Sequence, residues 1–509
     1  MKDIQPDRAA AGEGTRRPPS SAKPALSGAA IVLPLALAQF IASYAATNMN
    51  VAISTIADDI GTTVIGMQTT ITLFTLTMAS LMIPGSKLSD IWGRKFCFLL
   101  GLGIYGTGAL LAAVSQGLPL MVFGYSVLEG VGSALLIPPI YILVTVTFPD
   151  LATRAKYFGV VSAAAGLGAA AGPLIGGLIT SAVSWRASFL LQVLVVAYVA
   201  FLTRRIVDPP RTAPKPAFDL LGAVLCAAGL FFVVFGILQS STYGFFSSRE
   251  DFTIGGAVII PAGGISPVWL YVLIGLVVLA VLVWHLRRRE RGGHDPLVAT
   301  RLFRNRTSNL GLVTQNVQWL TMQGSFFVIS VYLQQVEHYS AIQTGLALTP
   351  ATIGILLASA LAGRMARRRQ QRTLVRGGFV IMTAGTALLL LLSRGGFSIW
   401  SLIPGLLLVG IGVGIMLTAS VNVVQSAFPD SDQGEISGVS RSASNLGSSL
   451  GTALAGSVLV GASVPGQHPF ALALTTLMGI GLLGLLAAML LPRGRKPAGP
   501  VPRARTGAA

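Results

Sequence analysis

Charge is scarce in this sequence. Asp, Glu, Lys and Arg make up 11% of its 509 residues, where a soluble domain carries about 25%, and the mean hydropathy is +0.72. A single soluble core of this length is excluded, because too little polar surface is left to cover it. Cysteine is nearly absent. Cys97 and Cys226 lie in apolar runs, with neither metal-ligand nor redox spacing, and read as buried free thiols. Histidine is rare as well, and His285, His294, His338 and His468 fall at helix ends or in loops. No loop sets a nucleophile beside a base or gathers metal ligands, which argues against an enzyme, a metal site or a cofactor. Acidic residues number 18 against 36 basic ones, for a net charge of +18. That imbalance raises nucleic acid as a partner, and only the placement of the charges decides the matter.

What is abundant is apolar runs of about 20 residues, the length a bilayer demands of a helix. About fourteen are expected, near 29–48, 65–84, 97–115, 118–140, 157–180, 188–203, 218–239, 267–286, 309–333, 343–363, 374–393, 399–424, 435–461 and 469–491. Glycine is frequent too, at 59 residues, and small residues let helix backbones approach in lipid. Residues 1–28 are polar and rich in Pro, Arg and Ala and read as a disordered tail. The run that follows is long enough to span and has no convincing cleavage site, so it reads as a membrane helix and not a signal peptide. Most of the 36 Lys and Arg fall in the two tails and in the segments 85–96, 149–156, 204–217, 287–308 and 364–376. With the N-terminus in the cytoplasm, all of these lie inside. Both termini are therefore expected there, in an inner cell membrane, and the basic balance needs no nucleic acid.

The chain also repeats itself at an offset of about 280 residues. "FPD" occurs at 148–150 and 428–430, "EGVGSALL" at 129–136 parallels "VGIGVGIM" at 409–416, and Gly159, Gly168 and Gly172 parallel Gly438, Gly447 and Gly451. Duplicated halves around a central path are a transporter architecture. The expected fold is an all-α membrane protein with a six-helix half at 29–203, a linker with two extra helices at 204–308, a second six-helix half at 309–491 and a disordered basic tail at 492–509. An outer loop rich in Gly and Phe joins the extra pair.

Two motifs then resemble a known family. "SKLSDIWGRK" at 86–95 is similar to the cytoplasmic loop signature of the major facilitator superfamily, keeping Leu88, Asp90, Gly93, Arg94 and Lys95 and departing at Ser86 and Ile91. A tight glycine turn there joins two helices, and Asp90 is placed to pair with Arg94 or a helix N-terminus across an inner gate. The bland alternative is a solvated loop that sets topology. "GVVSAAAGLGAAAGPLIGG" at 159–177 matches the fifth-helix signature of the antiporter branch through Gly159, Gly168, Gly172, Pro173, Gly176 and Gly177. Pro173 bends the helix and the glycines admit close packing. With fourteen spans, the whole resembles the fourteen-helix drug–proton antiporters of multidrug efflux type. The resemblance implies alternating-access export of small amphipathic or cationic compounds, driven by proton entry, by a protein that functions as a monomer.

The sequence departs from that family at two charged positions. Ala45 stands where the first helix usually has Asp, and Ser126 where the fourth has Arg. Loss of both members of a pair is close to neutral, where loss of one is not. Glu129 is left as the only carboxylate in the apolar run from Gly117 to Phe148, at a position where relatives carry Gln. It is the proton-coupling candidate. The alternative is a hydrogen-bonded carboxyl that does what Gln does. Gln39, Asn48, Asn50, Gln315, Gln318, Trp319, Gln323 and Asn422 are candidates for a substrate cavity, because polar groups on membrane helices face the bundle interior. Met322, Phe327 and Tyr332 add adaptable apolar surface. Hydrogen bonding between helices, without ligand contact, is the alternative. Arg441 either snorkels to the inner surface or pairs with Glu435 or another acid. Asp219 and Glu435 open helices, where an acid complements the dipole. The competing functions are a facilitator or a lipid or metabolite exporter of the same fold, and a non-transporting membrane sensor.

Overall fold

The computed structural model describes residues 28–148, 150–204, 206, 217–254, 257–392, 399–429, 432–461 and 469–492. The tails expected at 1–28 and 492–509 lie outside these residues except at their edges. The long helices are α1 (Gly28–Asn48), α2 (Val64–Trp92), α3 (Arg94–Ala113), α4 (Leu118–Met121, Val122–Glu129 and Gly130–Thr147 in one rod), α5 (Leu151–Ala182), α6 (Trp185–Thr203), α7 (Leu220–Leu238) and α8 (Pro267–Arg291). They continue with α9 (Arg306–Gln335), α10 (Ala341–Arg368), α11 (Gln371–Leu392), α12 (Ile399–Gln425), α13 (Gln433–Gly461) and α14 (Pro469–Met489). Among the described residues eleven helices are long and apolar enough to cross a bilayer, and twelve if the two arms of the bent α5 count as one. α9 and α13 carry too much Ser, Thr, Gln and Asn to pass that test. Leu194, Trp284 and Leu483 are among the large apolar side chains that point outward, as a lipid-facing surface requires.

Local sequence explains the boundaries. Thr63 caps α2 by accepting from Gly66 N at 3.2 Å, Asp150 caps α5 through Thr153 N at 2.8 Å, and Ser340 with Gln343 forms a capping box on α10. The expected loop at 85–96 is mostly helix, because α2 continues to Trp92. The turn is the single residue Gly93, at φ 113°, a backbone region that only glycine enters without strain. α5 bends by 43° between its arms 159–169 and 171–182. The break follows Ala169, four residues before Pro173; the Ala169 carbonyl loses the proline N–H and meets the ring. The joining segment between α7 and α8 is not the plain loop expected. Phe252–Ile254 (β1) and Ala257–Ile260 (β2) pair antiparallel, with Phe252 opposite Ile260. Two β-branched runs around Gly255-Gly256 are a hairpin signal.

Helices group as the repeat implies. In the first group α1 packs on α5 and α3 on α4; in the second α9 packs on α13 and α11 on α12. The contacts are close at equivalent glycines. A Cβ on Gly108 of α3 falls 2.6 Å from Gly124 O and 2.7 Å from Glu129 N; one on Gly385 of α11 falls 2.8 Å from Gly405 O and 2.7 Å from Val409 N. α2 lies along α13 and α5 along α10, so these pairs join the two groups. The inserted α7 and α8 pack on each other, and α7 rests against both α2 and α13, over their seam.

Candidate functional site

Glu129 ends a π-helical stretch, Val122–Glu129. Glu129 lies five positions after Gly124, but Val409 lies only four after Gly405 at the same crossing in the second group. The wide turn thus inserts one residue, a device often found at functional sites. Glu129 is fully buried, and among the described residues neither carboxyl oxygen has a hydrogen-bond partner. Tyr105 of α3 and Tyr125 of α4 flank it. Tyr105 Oη donates to Gln192 Oε1 of α6 at 2.5 Å, and Tyr125 Oη donates to Ala45 O of α1 at 2.9 Å. Beyond them, Tyr44 and Ser188 share a 2.5 Å bond and Asn48 Nδ2 donates to Ser188 Oγ at 3.0 Å. Gln192 Nε2 has no partner. The carboxyl therefore faces α3 and a polar pocket enclosed by α1, α4 and α6 of its own half, and not the space between the halves. Apolar residues surround this part of α4, so its rotation is set by packing and left no periodic mark in the sequence. The two departures from the family pattern are buried beside it. Ser126 Oγ donates to Thr70 O at 2.7 Å, and Ala45 is fully buried.

Between the halves, one end is sealed by hydrogen bonds. Gln334 Nε2 of α9 donates to Asn50 O at 3.0 Å, and Ser54 N donates back to Gln334 Oε1 at 3.1 Å. Gln323 Nε2 donates to Ala46 O at 3.0 Å. Ile342 N of α10 donates to Ser181 Oγ of α5 at 2.9 Å. A Cβ on Gly345 falls 2.5 Å from Pro173 O, and one on Gly177 2.5 Å from Ala341 O. Along the seam of α2 and α13, Ser442 Oγ donates to Ala79 O at 2.5 Å, Ser449 Oγ to Thr72 O at 3.0 Å and Gln68 Nε2 to Ala453 O at 3.2 Å. The serine-rich stretch of α13 carried that signal in the sequence and was not singled out. At the opposite end Lys87 meets Glu435 at 3.5 Å.

The cavity candidates divide among these regions. Asn48 belongs to the enclosed pocket. Gln323 belongs to the seal, and so does the carbonyl of Asn50, whose buried side chain has no partner. Gln39 Nε2 reaches Ser43 Oγ at 3.3 Å, leaving Oε1 without a bond. On α9, Gln315 Oε1 accepts from Ser440 Oγ at 2.8 Å, and Gln318 lies 2.9 Å from Ser420 Oγ; both amide nitrogens lack partners. Trp319 and Asn422 are half-buried. Arg441 differs from expectation. It does not pair with Glu435, and it does not simply snorkel. Its guanidinium lies 4.8 Å from the ring centroid of Tyr141 and donates to the Tyr141 hydroxyl, across to α4 of the first half.

The motif residues are also placed. Leu88 and Asp90 lie on the last turns of α2, and Lys95 Nζ donates to Arg204 O at 3.1 Å. The expected Asp90–Arg94 pair is not formed: Asp90 is engaged, but Arg94 has no ion pair among the described residues. Gly168, Gly172 and Gly176 press against Phe40, Thr47 and Asn48 of α1. Gly159 has nothing within 4 Å of a Cβ position and is exposed, so it has no share in that packing. Asp219 does more than start α7. Its buried carboxylate accepts from Gly222 N at 3.0 Å and from Leu297 N at 3.1 Å, and lies 2.9 Å from His285 Nε2. Burial pushes its carboxyl up, but the bonds from His285, Gly222 and Leu297 outweigh that and hold it below the ordinary carboxylate range. Asp59, bonded by Arg186, is also held low.

A family model described as Major Facilitator Superfamily matches residues 35–291, 252–452 and 311–508. The chain is 31% identical over 427 residues to the "Multidrug resistance protein B homolog" of Mycobacterium tuberculosis, covering 82% of this chain and 74% of that protein. It is 29% identical over 425 residues to the "Probable actinorhodin transporter" of Streptomyces coelicolor, covering 82% and 69%. It is 26% identical over 473 residues to the "Lincomycin resistance protein" of Streptomyces lincolnensis, covering 92% of each. Among solved structures, the human organic anion transporter MFSD10 (TETRAN) aligns with TM-score 0.56 and 16% identity over 91% of this chain and all of that one, a likeness of fold alone. The chain belongs to the major facilitator superfamily; it is a multi-pass membrane transporter of small molecules, not an enzyme.

Proposed function

We propose that this transporter exports small amphipathic, drug-like compounds by alternating access, and that Glu129 carries the coupled proton. The substrate class is taken from relatives whose names refer to drug and antibiotic resistance. The observation that carries the proton role is the comparison of the two halves. Gly108 and Gly385 make the same close crossing, and Glu129 and Val409 occupy the equivalent seat. Packing there accepts a valine, so it does not explain a carboxyl. An unpaired buried charge costs several kcal/mol, and the carboxyl holds its proton in the state described, releasing it when its pocket opens to water.

In this reading all fourteen long helices cross an inner cell membrane, with both termini in the cytoplasm and a monomer as the working unit. The halves are 29–203 and 309–491, joined by the linker 204–308. The Gln334 seal is then the outer gate and the Lys87–Glu435 end the inner one. A cationic substrate is disfavoured, because Glu129, the carboxyl buried deep among the described helices, is enclosed within a single half. Glu129→Gln in proteoliposomes tests the proton role. Transport driven by an imposed pH gradient should be lost while substrate counterflow survives. A variant with full gradient-driven transport refutes it. That result would favour the second reading, a facilitator or lipid or metabolite exporter, which Ala45 and Ser126 at the usual acid and base positions support.

A further inference from the structure

We infer that Arg441, seated on Tyr141 and adjoined by the Gln315 amide, is an anion-recognition site, and that the substrate presents an organic acid group to it. The inference deepens the transport reading and rests on it only for the direction of movement; binding alone is enough to test it.

Three observations converge. First, Arg441 lies well inside α13 at the interface of the halves, half-buried, and no carboxylate pairs with it among the described residues. The acids nearest in sequence are taken: Glu435 by Lys87 and by Ala299 N at 3.2 Å, and Asp432 by Arg301 at 2.8 Å. Glu129 is enclosed in the other half. A cation kept inside a membrane bundle without a counter-charge is expensive, and by default functional. Arginine has no second protonation state with which to avoid that expense.

Second, the neighbouring group is a donor as well. Ser440, next to Arg441 on α13, donates to Gln315 Oε1. That bond fixes which end of the fully buried amide stays open, namely the NH2. A free donor of this kind is unfavourable until an acceptor arrives. The residues that hold amide and guanidinium are neighbours on α13, and each group brings donors without an acceptor surplus. Third, the Tyr141 ring holds the guanidinium by its π face. One amino group of the fork donates to the Tyr141 hydroxyl, and the remaining N–H groups are left to a carboxylate. The complementary ligand is therefore a carboxylate on an apolar body. A cationic amphiphile is repelled.

The test uses the full-length chain in nanodiscs of zwitterionic lipid and reads quenching of tryptophan fluorescence. The probes are 1-naphthylacetate and its uncharged isostere 1-naphthylacetamide. The wild-type chain should bind the carboxylate about ten-fold tighter than the amide, the scale of one charge-assisted bond. Arg441→Gln should abolish that preference while leaving amide binding in place, which also shows the variant folded. Where Arg441→Gln does not fold, Arg441→Lys and Gln315→Leu decide. Each removes part of the donor set, and each should reduce the preference. A wild-type chain that binds both probes equally, or neither, overturns the inference. So does an Arg441→Gln chain that keeps the preference, or a preference untouched in both Arg441→Lys and Gln315→Leu.

Discussion

Gln334 should control how often the sealed end opens. The short helix Ile53–Asp59 starts at Ala52, which has no side-chain oxygen with which to cap it. A first-turn donor is thereby orphaned, and Ser54 N finds its acceptor in Gln334 Oε1, which belongs to α9 of the opposite half. The same side chain donates to Asn50 O and is 7% exposed. Both bonds join the halves, so both must break for that end to separate. Gln334→Leu keeps the size and removes both. At about 1 kcal/mol net for each bond, the sealed state loses about 2 kcal/mol, a shift of roughly 30-fold in the equilibrium. Taking the opened state at about 1% in the wild type, the variant should hold about a quarter of its molecules open. Nitroxides at Asp58→Cys and Gln335→Cys, both exposed sites, report the separation by pulsed electron–electron resonance, and the buried Cys97 and Cys226 leave little background labelling. A second, longer distance should appear in the Gln334→Leu chain. A distribution identical to wild type would show that the seal is held elsewhere and that the bond count has no bearing on gating.

Two further outcomes follow from named groups. Asp219→Ala removes the cap of α7 and leaves His285, Leu297 N and Gly222 N without their acceptor, so the melting midpoint of a fluorescent fusion should fall, reflecting roughly 2–4 kcal/mol. Because the folded-state carboxyl is held low, its stabilisation is complete above the ordinary carboxyl range and is withdrawn as pH falls through the lower folded value. The deficit of the variant should therefore shrink in acid, and a deficit constant from neutral pH into acid would exclude the ionised latch. Separately, naphthylacetate affinity should change with pH in the wild type and be flat in Glu129→Gln over the same range, measured by the same quenching; equal pH dependence in the two chains would disconnect Glu129 from the substrate site.

Helix existence was legible in the sequence and helix rotation was not. Apolar length announced most of the spans, and the repeated glycines announced the duplication, because both are properties of the chain read in one dimension. Even α9 and α13, whose polar side chains lower their hydropathy, keep enough apolar length to be counted among the expected spans at 309–333 and 435–461. The direction of Glu129 was hidden because a helix apolar all round shows no face. The pairing of Arg441 was misread for a related reason: its partner Tyr141 lies 300 residues away, on an element whose proximity only the assembled halves create. The segment 85–96 reads as a loop because it lies between two apolar runs, whereas helix α2 continues past its apolar stretch to Trp92.

Those two misplaced charges carry the main consequence for mechanism. The acid is buried within the first half and the base lies between the halves, so in the proposed mechanism proton and substrate occupy separate places. On that reading direct displacement does not couple them, and the two events are linked through structure. α4 is the element that touches both. It carries Glu129 at its π-helical turn and Tyr141, the seat of Arg441, twelve residues later, about 18 Å along the axis at 1.5 Å per residue. A π turn holds one residue more than the α-helix needs, and the equivalent Gly405–Val409 turn manages without it. Reverting that turn toward α geometry rotates everything beyond it by about 100° per residue absorbed. In the proposed mechanism a change at the carboxyl would reach Tyr141 along α4, whose crossing with α3 is close at Gly101, Gly108, Gly124 and Gly132.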